Sequence, residues 1–476
     1  MSVTLRDYQV ADLSFYMQTP RCMNLSDPGT GKTPSVCVYA SYHWFEKKNR
    51  TVWIQPKGLL KKNRDEMLLF SGFKPEDVVI VDNINPKKRI KAIESNAKVF
   101  LIGFTAFTKL WPYLLRQHPD VQLCLVDEFH MGYGGHDSQR TTALYAAMEH
   151  IKYFVAMTGT IINGRLSSAY PAIEICDPTL YHSYESFMYA HAIEDDYGRV
   201  VDWHGHERLR PIFRKYAIRH SFEEVYGPEA KVIIPEVVEM TPRQKEAYEE
   251  FEEAALLELE DSWLDGSTNQ AVYTIRCRQI MEHPQTLGAP LDEIKQTGKE
   301  ERLEIHLADC KQSGKPMIVF AALQPQIERA AEMARKMGLR VGMIHGGVSN
   351  SKRFQIDEQF RAGQLDVVVA SPATTAVGYN WGHVDVIVFL SLDYMDSSFV
   401  QGYRRAIRGV RERPCLIYVL QYDCAVEKRI IQIVEKKAAM AAKVDETKNE
   451  LSLRAEKPKP EAKAETFKAL RIEDLL

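Results

Sequence analysis

Between Val52 and Gly159, short apolar runs alternate with longer polar segments of helical composition: Val52 to Ile54, Val78 to Val81, Val99 to Ile102, Leu123 to Val126 and Tyr153 to Met157. Uninterrupted apolar runs of this length suit strands buried on both faces, and the polar stretches between them suit crossover helices, so a parallel sheet is predicted. The rhythm returns from Met317 with Met317 to Phe320, Val341 to Ile344, Val367 to Ala370, Val386 to Leu390 and Leu416 to Leu420. The fold class is therefore α/β with two parallel-sheet lobes. In such sheets, sites form beyond the carboxyl ends of the strands.

The stretch between the two rhythms reads differently. Thr241-Pro242-Arg243-Gln244 is a capping box with proline at the first helical position. Tyr248, Phe251, Ala255, Leu259 and Trp263 then recur at three- and four-residue spacing, the pattern of a helix packed on one face. From residue 436, Lys, Glu and Ala dominate and lead into Lys-Pro-Lys-Pro, which suggests a helix fraying into a flexible charged tail. The terminal Thr466 to Leu476 is short and amphipathic, suited to docking on the body or on a protein partner. The expected division is 1–166, an N-terminal lobe; 167–310, a helical linker region; 311–435, a C-terminal lobe; and 436–476, the tail.

At 476 residues the chain exceeds a single ordinary core. It contains no apolar run of the roughly 18 residues a spanning helix needs, and its N-terminus lacks the features of a signal or transit peptide. Eight cysteines are scattered without CxxC pairs, which suits a reducing cytoplasm. The net charge of −3 does not advertise a nucleic-acid binder, but local basic clusters do occur: Lys47 to Arg50, Lys57 to Arg64, Lys87 to Lys91 and Arg199 to His220.

Two segments carry chemistry. Asp27-Pro28-Gly29-Thr30-Gly31-Lys32-Thr33 lies between an apolar stretch and a helix-compatible one, the layout of a phosphate-binding loop. Glycines let backbone N–H groups close on phosphate oxygens, Lys32 reaches the outer phosphates, and Thr33 can ligate Mg²⁺. The strict pattern asks for glycine at position 26, where this chain has Ser26. Asp127-Glu128-Phe129-His130 ends an apolar run. One carboxylate at such a strand end holds the metal and the next handles the attacking water, here Asp127 and Glu128, with His130 as a relay to the rest of the lobe.

Together these segments resemble motifs I and II of the superfamily 2 helicases and translocases, which implies RecA-like lobes, ATP and Mg²⁺. Other stretches extend the resemblance. Leu5-Arg6-Asp7-Tyr8-Gln9 resembles the element in which glutamine recognises adenine, and implies Arg6, Tyr8 and Gln9 at the nucleotide along with Pro28, Gly29, Thr30 and Gly31. Ile54 to Lys57 and Gly103-Phe104-Thr105 resemble motifs Ia and Ib, implying nucleic-acid backbone contacts at Lys57 and Thr105. Met157-Thr158-Gly159-Thr160 resembles motif III, implying that Thr158 and Thr160 couple hydrolysis to lobe movement. His345-Gly346-Gly347 and the stretch from Ala370 through Thr374, Thr375, Gly378 and Asn380 resemble the later motifs. They imply DNA contacts at Gly346, Thr374 and Thr375, and a nucleotide contact at Gly378. Gln401 to Gly409 resembles motif VI, implying arginine fingers at Arg405 and Arg408, with Arg404 and Arg411 structural or DNA-facing.

Met240 to Tyr248, Arg276 to Pro284, Thr297-Gly298-Lys299 and Ala425 to Ile430 are similar to linker elements of the Swi/Snf branch. The chain departs from that branch with Gly-Thr-Gly where Gly-Leu-Gly is usual, and with Ile407 at a histidine position. The linker is too short for a remodeller's large insertion, so a compact prokaryotic or viral motor is implied. The expected activity is cytoplasmic ATP-driven translocation on duplex or branched DNA through sequence-independent backbone contacts. A strand-separating or branch-migration helicase would carry the same ATPase plus a wedge, for which Tyr181, Tyr184 and Trp203 are candidates. A DNA-binding scaffold with an ATP switch is the alternative of another class.

Overall fold

The apolar runs become the central strands of two parallel sheets in the computed structural model. It describes residues 4–83, 85–253, 255, 272–289, 291–375, 378–394, 396–407, 409–445 and 451–454. In chain order the strands are β1 (Arg21–Asn24), β2 (Arg50–Gln55), β3 (Val78–Ile80), β4 (Val99–Gly103), β5 (Val121–Asp127), β6 (Tyr153–Met157), β7 (Ala192–Glu194), β8 (Val200–Trp203) and β9 (Ala217–Ile218). They continue with β10 (Lys231–Val238), β11 (Met317–Phe320), β12 (Val341–Ile344), β13 (Val367–Ala370), β14 (Val386–Phe389) and β15 (Cys415–Tyr422). The first sheet runs β3-β4-β2-β5-β6-β1-β9 and the second β10-β15-β14-β11-β13-β12, while β7 and β8 form a separate antiparallel hairpin.

Burial on both faces explains the apolar runs. Along β2, Val52 and Ile54 pack into one core while Trp53 packs into the core on the opposite face, as the two-residue strand period requires. In the second sheet, Ile318 and Phe320 face one core and Met317 and Val319 the other.

The stretch 167–310 contributes more than helices. It supplies β9 to the edge of the first sheet and β10 to the edge of the second, so residues 219–230 form the crossing between sheets. Four Swi/Snf-like linker elements then meet against the second sheet. Gln244 Nε2 donates to the carbonyls of Ile280 and Met281 at 2.9 and 3.0 Å. Buried Lys299 donates to Glu282 at 3.1 Å and to Glu427 at 2.6 Å. A buried cation is tolerated because two carboxylates compensate it. In the expected helical stripe, Tyr248 and Ala255 are buried, while Leu259 and Trp263 lie outside the described residues.

The tail expected from residue 436 is helical in its first part, continuing the helix Ala425–Asp445. Leu451 to Arg454 then returns to the body, where Leu453 is buried and its N–H donates to Glu435 at 2.9 Å. The terminal Thr466 to Leu476 lies outside the described residues. Among the described residues no helix is long and apolar enough to cross a membrane.

Candidate nucleotide site and interlobe cleft

The carboxyl ends of β1, β5 and β6 bring the two chemistry-bearing segments together. The loop after β1 needs left-handed backbone at Gly29 (φ 92°) and Gly31 (φ 88°), which glycine adopts without a Cβ penalty. A Cβ on Gly31 would also stand 3.1 Å from Gln9 Nε2. Helix α1 (Asp7–Gln18) leads into β1, and helix α2 (Lys32–Phe45) starts directly after Gly31. The first-turn N–H groups of α2, with no partner one turn earlier, face the loop as a ready anion site. Lys32 Nζ donates to the carbonyls of Ser26 and Asp27 at 2.7 and 3.2 Å. Burial lowers its pKa, opposed by Glu128, Asp127 and Asp27. These features fit a nucleotide polyphosphate, and Thr33 with Asp127 fits a hard cation beside it.

The residues expected at adenine brace the phosphate loop in this structure. Gln9 Nε2 donates to Gly31 O at 2.9 Å and its Oε1 accepts from Arg6 N at 2.9 Å. Tyr8 Oη donates to Thr30 O. The Arg6 guanidinium lies over the Tyr226 ring at 5.2 Å, and Tyr226 Oη donates to Gly29 O at 3.3 Å.

At the end of β5, Asp127 accepts from Asn63 Nδ2 at 2.9 Å. Burial, then the neighbouring Glu128, push its carboxyl up to about 6. Glu128 adopts left-handed backbone (φ 49°, ψ 52°), a strained state for a residue with a side chain. His130 Nδ1 lies 2.7 Å from Thr158 Oγ1 and 3.6 Å from Glu128 Oε2, and Thr160 N donates to Thr158 Oγ1 at 3.0 Å. Burial, then Lys32, lower His130 to about 4, so it is neutral at pH 7. A Cβ on Gly159 would come within 2.5 Å of Pro28 Cδ, so glycine lets the Thr158–Thr160 turn press on the phosphate loop.

Across the interlobe gap, the arginine beside Asp27 is Arg404, not Arg405. Arg404 pairs with Asp27 at 3.0 Å and Glu229 at 2.8 Å. Buried Arg405 donates from Nε to Gln401 O at 3.0 Å within its own segment. Arg408 lies outside the described residues. Gly378 lines a second opening, where a Cβ on it would stand 3.5 Å from Leu59 Cδ2.

That second opening is a cleft of about 920 Å³, lined from the first lobe by Lys57, Lys61 and Lys62 and from the second by Arg353, Phe354 and Arg361. Gly346 and Thr374 line it as well. Thr375 does not fit a DNA contact, because it is buried and its hydroxyl donates to Ser371 and Pro372 carbonyls. Thr105 is exposed in the first turn of the helix Phe104–Gln117 that follows β4, and accepts from Arg140 at 3.4 Å. Asn63, Tyr226, Arg353 and Phe354 were not singled out from sequence. None sits in a patterned motif, and only the fold brings them to the openings.

Fold and site together define a two-lobed phosphate-loop protein. Residues 298–410 match the helicase conserved C-terminal domain. The chromatin remodeling factor mit1 of Schizosaccharomyces pombe is 20% identical over 92% of this chain and 32% of its own length. The CHD3-type chromatin-remodeling factor CHR7 of Arabidopsis thaliana is 19% identical over 91% of this chain and 37% of its own length. The probable ATP-dependent RNA helicase DDX47 of Mus musculus is 25% identical over 28% of this chain and 29% of its own. A solved Sulfolobus solfataricus SWI2/SNF2 ATPase core in complex with dsDNA has a TM-score of 0.42 at 18% identity and covers 92% of both chains. The second lobe thus carries a helicase conserved C-terminal domain, and over both lobes the chain is similar to Swi/Snf-type remodelling factors. The chain spans roughly a third of the length of these curated relatives.

Proposed function

We propose that the chain is a compact Swi/Snf-type motor that hydrolyses ATP between its lobes to move along duplex or branched DNA. One observation carries this reading: cations of both lobes line a single cleft, Lys57, Lys61 and Lys62 from the first and Arg353 and Arg361 from the second, and outnumber its carboxylates Asp65, Glu66 and Asp357. Movement of one lobe against the other would step those cations along a phosphate backbone, with little dependence on sequence.

The chain's own residues supply the hydrolytic step. The strained backbone of Glu128 aims its carboxylate into the site, where it accepts a proton from the attacking water. Neutral His130 links Glu128 to Thr158, so a change at the carboxylate reaches the turn pressed on Pro28. Mg²⁺ held by Thr33 and Asp127 would add positive charge against the developing phosphate charge. Arg405 and Arg408 are the finger candidates.

The fold gives the strand-separating alternative little support. Its three candidate wedge residues are engaged in packing: Tyr181 Oη lies 2.7 Å from His191 Nε2, Tyr184 stacks on His136 at 4.4 Å, and Trp203 packs on the first core. The exposed aromatic of the β7–β8 hairpin, Tyr197, is 85% exposed. It follows Glu194, Asp195 and Asp196, and that charge opposes a nucleic-acid backbone.

The test is ATP turnover with no nucleic acid, single strand, duplex, fork and RNA, with Lys32→Ala as control. Duplex or forked DNA is expected to stimulate the wild type, and Lys32→Ala to lose turnover in every condition. Equal turnover in all five would overturn the motor reading.

A further inference from the structure

The crossing between the sheets is wired into the phosphate loop. Ile218 O accepts from Leu25 N at 2.8 Å, His220 O accepts from Asp27 N at 2.9 Å, and Phe222 N donates to Asp27 Oδ2 at 3.1 Å. Tyr226 Oη reaches Gly29 O. The loop therefore cannot shift without a change in residues 218–226, and these lead directly into β10 of the second sheet.

Arg404 closes this circuit from the other side. It directly follows the helix Asp396–Tyr403 of the second lobe, yet its guanidinium lies 3.0 Å from Asp27 of the first lobe and 2.8 Å from Glu229 of the crossing. Arg219 adds a longer contact to Asp27 at 3.7 Å, and Lys231 pairs with Glu229 and donates to Tyr403 Oη at 3.2 Å. Arg404 and its two carboxylates are each about nine-tenths buried. Such a cluster holds only in a narrow range of geometry, because each charge needs its partner once removed from water.

We propose that Arg404 is a positioning residue that ties the orientation of the second lobe to the conformation of the phosphate loop, by engaging Asp27 and Glu229 at once across the crossing segment. It acts through Asp27 and not on the reacting atoms. This separates it from Arg405, whose Nε donates to Gln401 O within its own segment. The kinetic part rests on the ATPase reading above; the geometric part does not.

The test pairs two readouts on the full chain. Labels at exposed Lys74 and Lys336, introduced as Lys74→Cys and Lys336→Cys, report the interlobe distance distribution. ATP turnover reports KM and kcat. Arg404→Gln and Asp27→Asn are each expected to broaden the distribution and to raise KM about fivefold or more with a smaller change in kcat. The double variant should fall clearly short of the sum of the two single ones, since both break the Arg404–Asp27 contact. Arg404→Lys should recover part of both effects, which a loss of folding would not allow. An unchanged distance distribution in Arg404→Gln, or additive effects in the double variant, would overturn the proposal. If the wild type hydrolyses no ATP, the function proposed above fails, and the distance measurement alone decides this inference.

Discussion

The two openings between the lobes are built on opposite principles. On the phosphate-loop side, charges alternate and are buried: Asp27, Arg404, Glu229 and Lys231 each meet an opposite partner. On the cleft side, cations gather from both lobes, and Lys57 and Lys62 remain about half exposed even where they contact Asp82 and Glu66. Lys61 rests on Phe354 at 4.5 Å. A largely buried, mutually paired cluster fixes one geometry, whereas a solvated surface on which cations outnumber the carboxylates Asp65, Glu66 and Asp357 binds a polyanion at many registers. Substitutions on the first side should act sharply and on the nucleotide site. Those on the second should act weakly, additively and in a salt-dependent way.

The largest effect is expected at Glu128. Replacing Glu128 with Gln keeps shape and hydrogen bonding but removes the proton acceptor, so turnover should fall about 10²- to 10⁴-fold while ATP still binds. Single-turnover kinetics and nucleotide binding measured together check this. Near wild-type turnover would move the water-handling role elsewhere and erase the contrast between the two sides.

The cleft should respond more gently. Lys61→Ala and Lys62→Ala are each expected to weaken DNA binding about equally for all sequences, and to reduce the slope of log K against log salt by about one if each neutralises one phosphate. Binding isotherms at several salt concentrations measure it. A sequence-dependent loss, or an unchanged salt slope, would show that the cleft does not read the backbone.

The same contrast explains how much was legible in the sequence. Strands buried on both faces announce themselves as apolar runs, so the cores of both sheets were predictable from Val52 and Met317 onward. The phosphate loop and Asp127-Glu128 were visible because their chemistry demands contiguous residues. The edge strands β9 and β10 were not visible: Ala217–Ile218 is too short to pattern, and β10 carries Pro235 and Glu236 in a half-buried face. Arg404 was assigned away from the nucleotide because motif spacing favours its neighbour Arg405. Which of two adjacent arginines turns toward Asp27 is set by the end of the helix Asp396–Tyr403 and by Glu229, some 170 residues earlier in the chain, and no local pattern encodes that. Thr374 and Thr375 show the same limit, since the first lines the cleft while the hydroxyl of the second is turned to the carbonyls of Ser371 and Pro372.

The smallest effect concerns the helix that carries Lys32. Its inner face buries His43, whose ring meets Tyr39 at 4.6 Å and Tyr153 at 4.4 Å. Burial, aided by Lys47, lowers its pKa from 6.5 to about 4. Between those values the unfolded chain binds a proton there and the folded chain does not, so folding stability falls as pH drops from about 6.5 toward 4. The ceiling is about 3 kcal/mol, with about 1 kcal/mol already lost near pH 5.5. His43→Phe keeps an aromatic ring and removes the titration, so its stability should decline less over the same range. Urea midpoints at pH 7.5, 6.5 and 5.5 measure the two slopes. Equal slopes would mean that the interior beside the helix presenting Lys32 accepts the imidazolium.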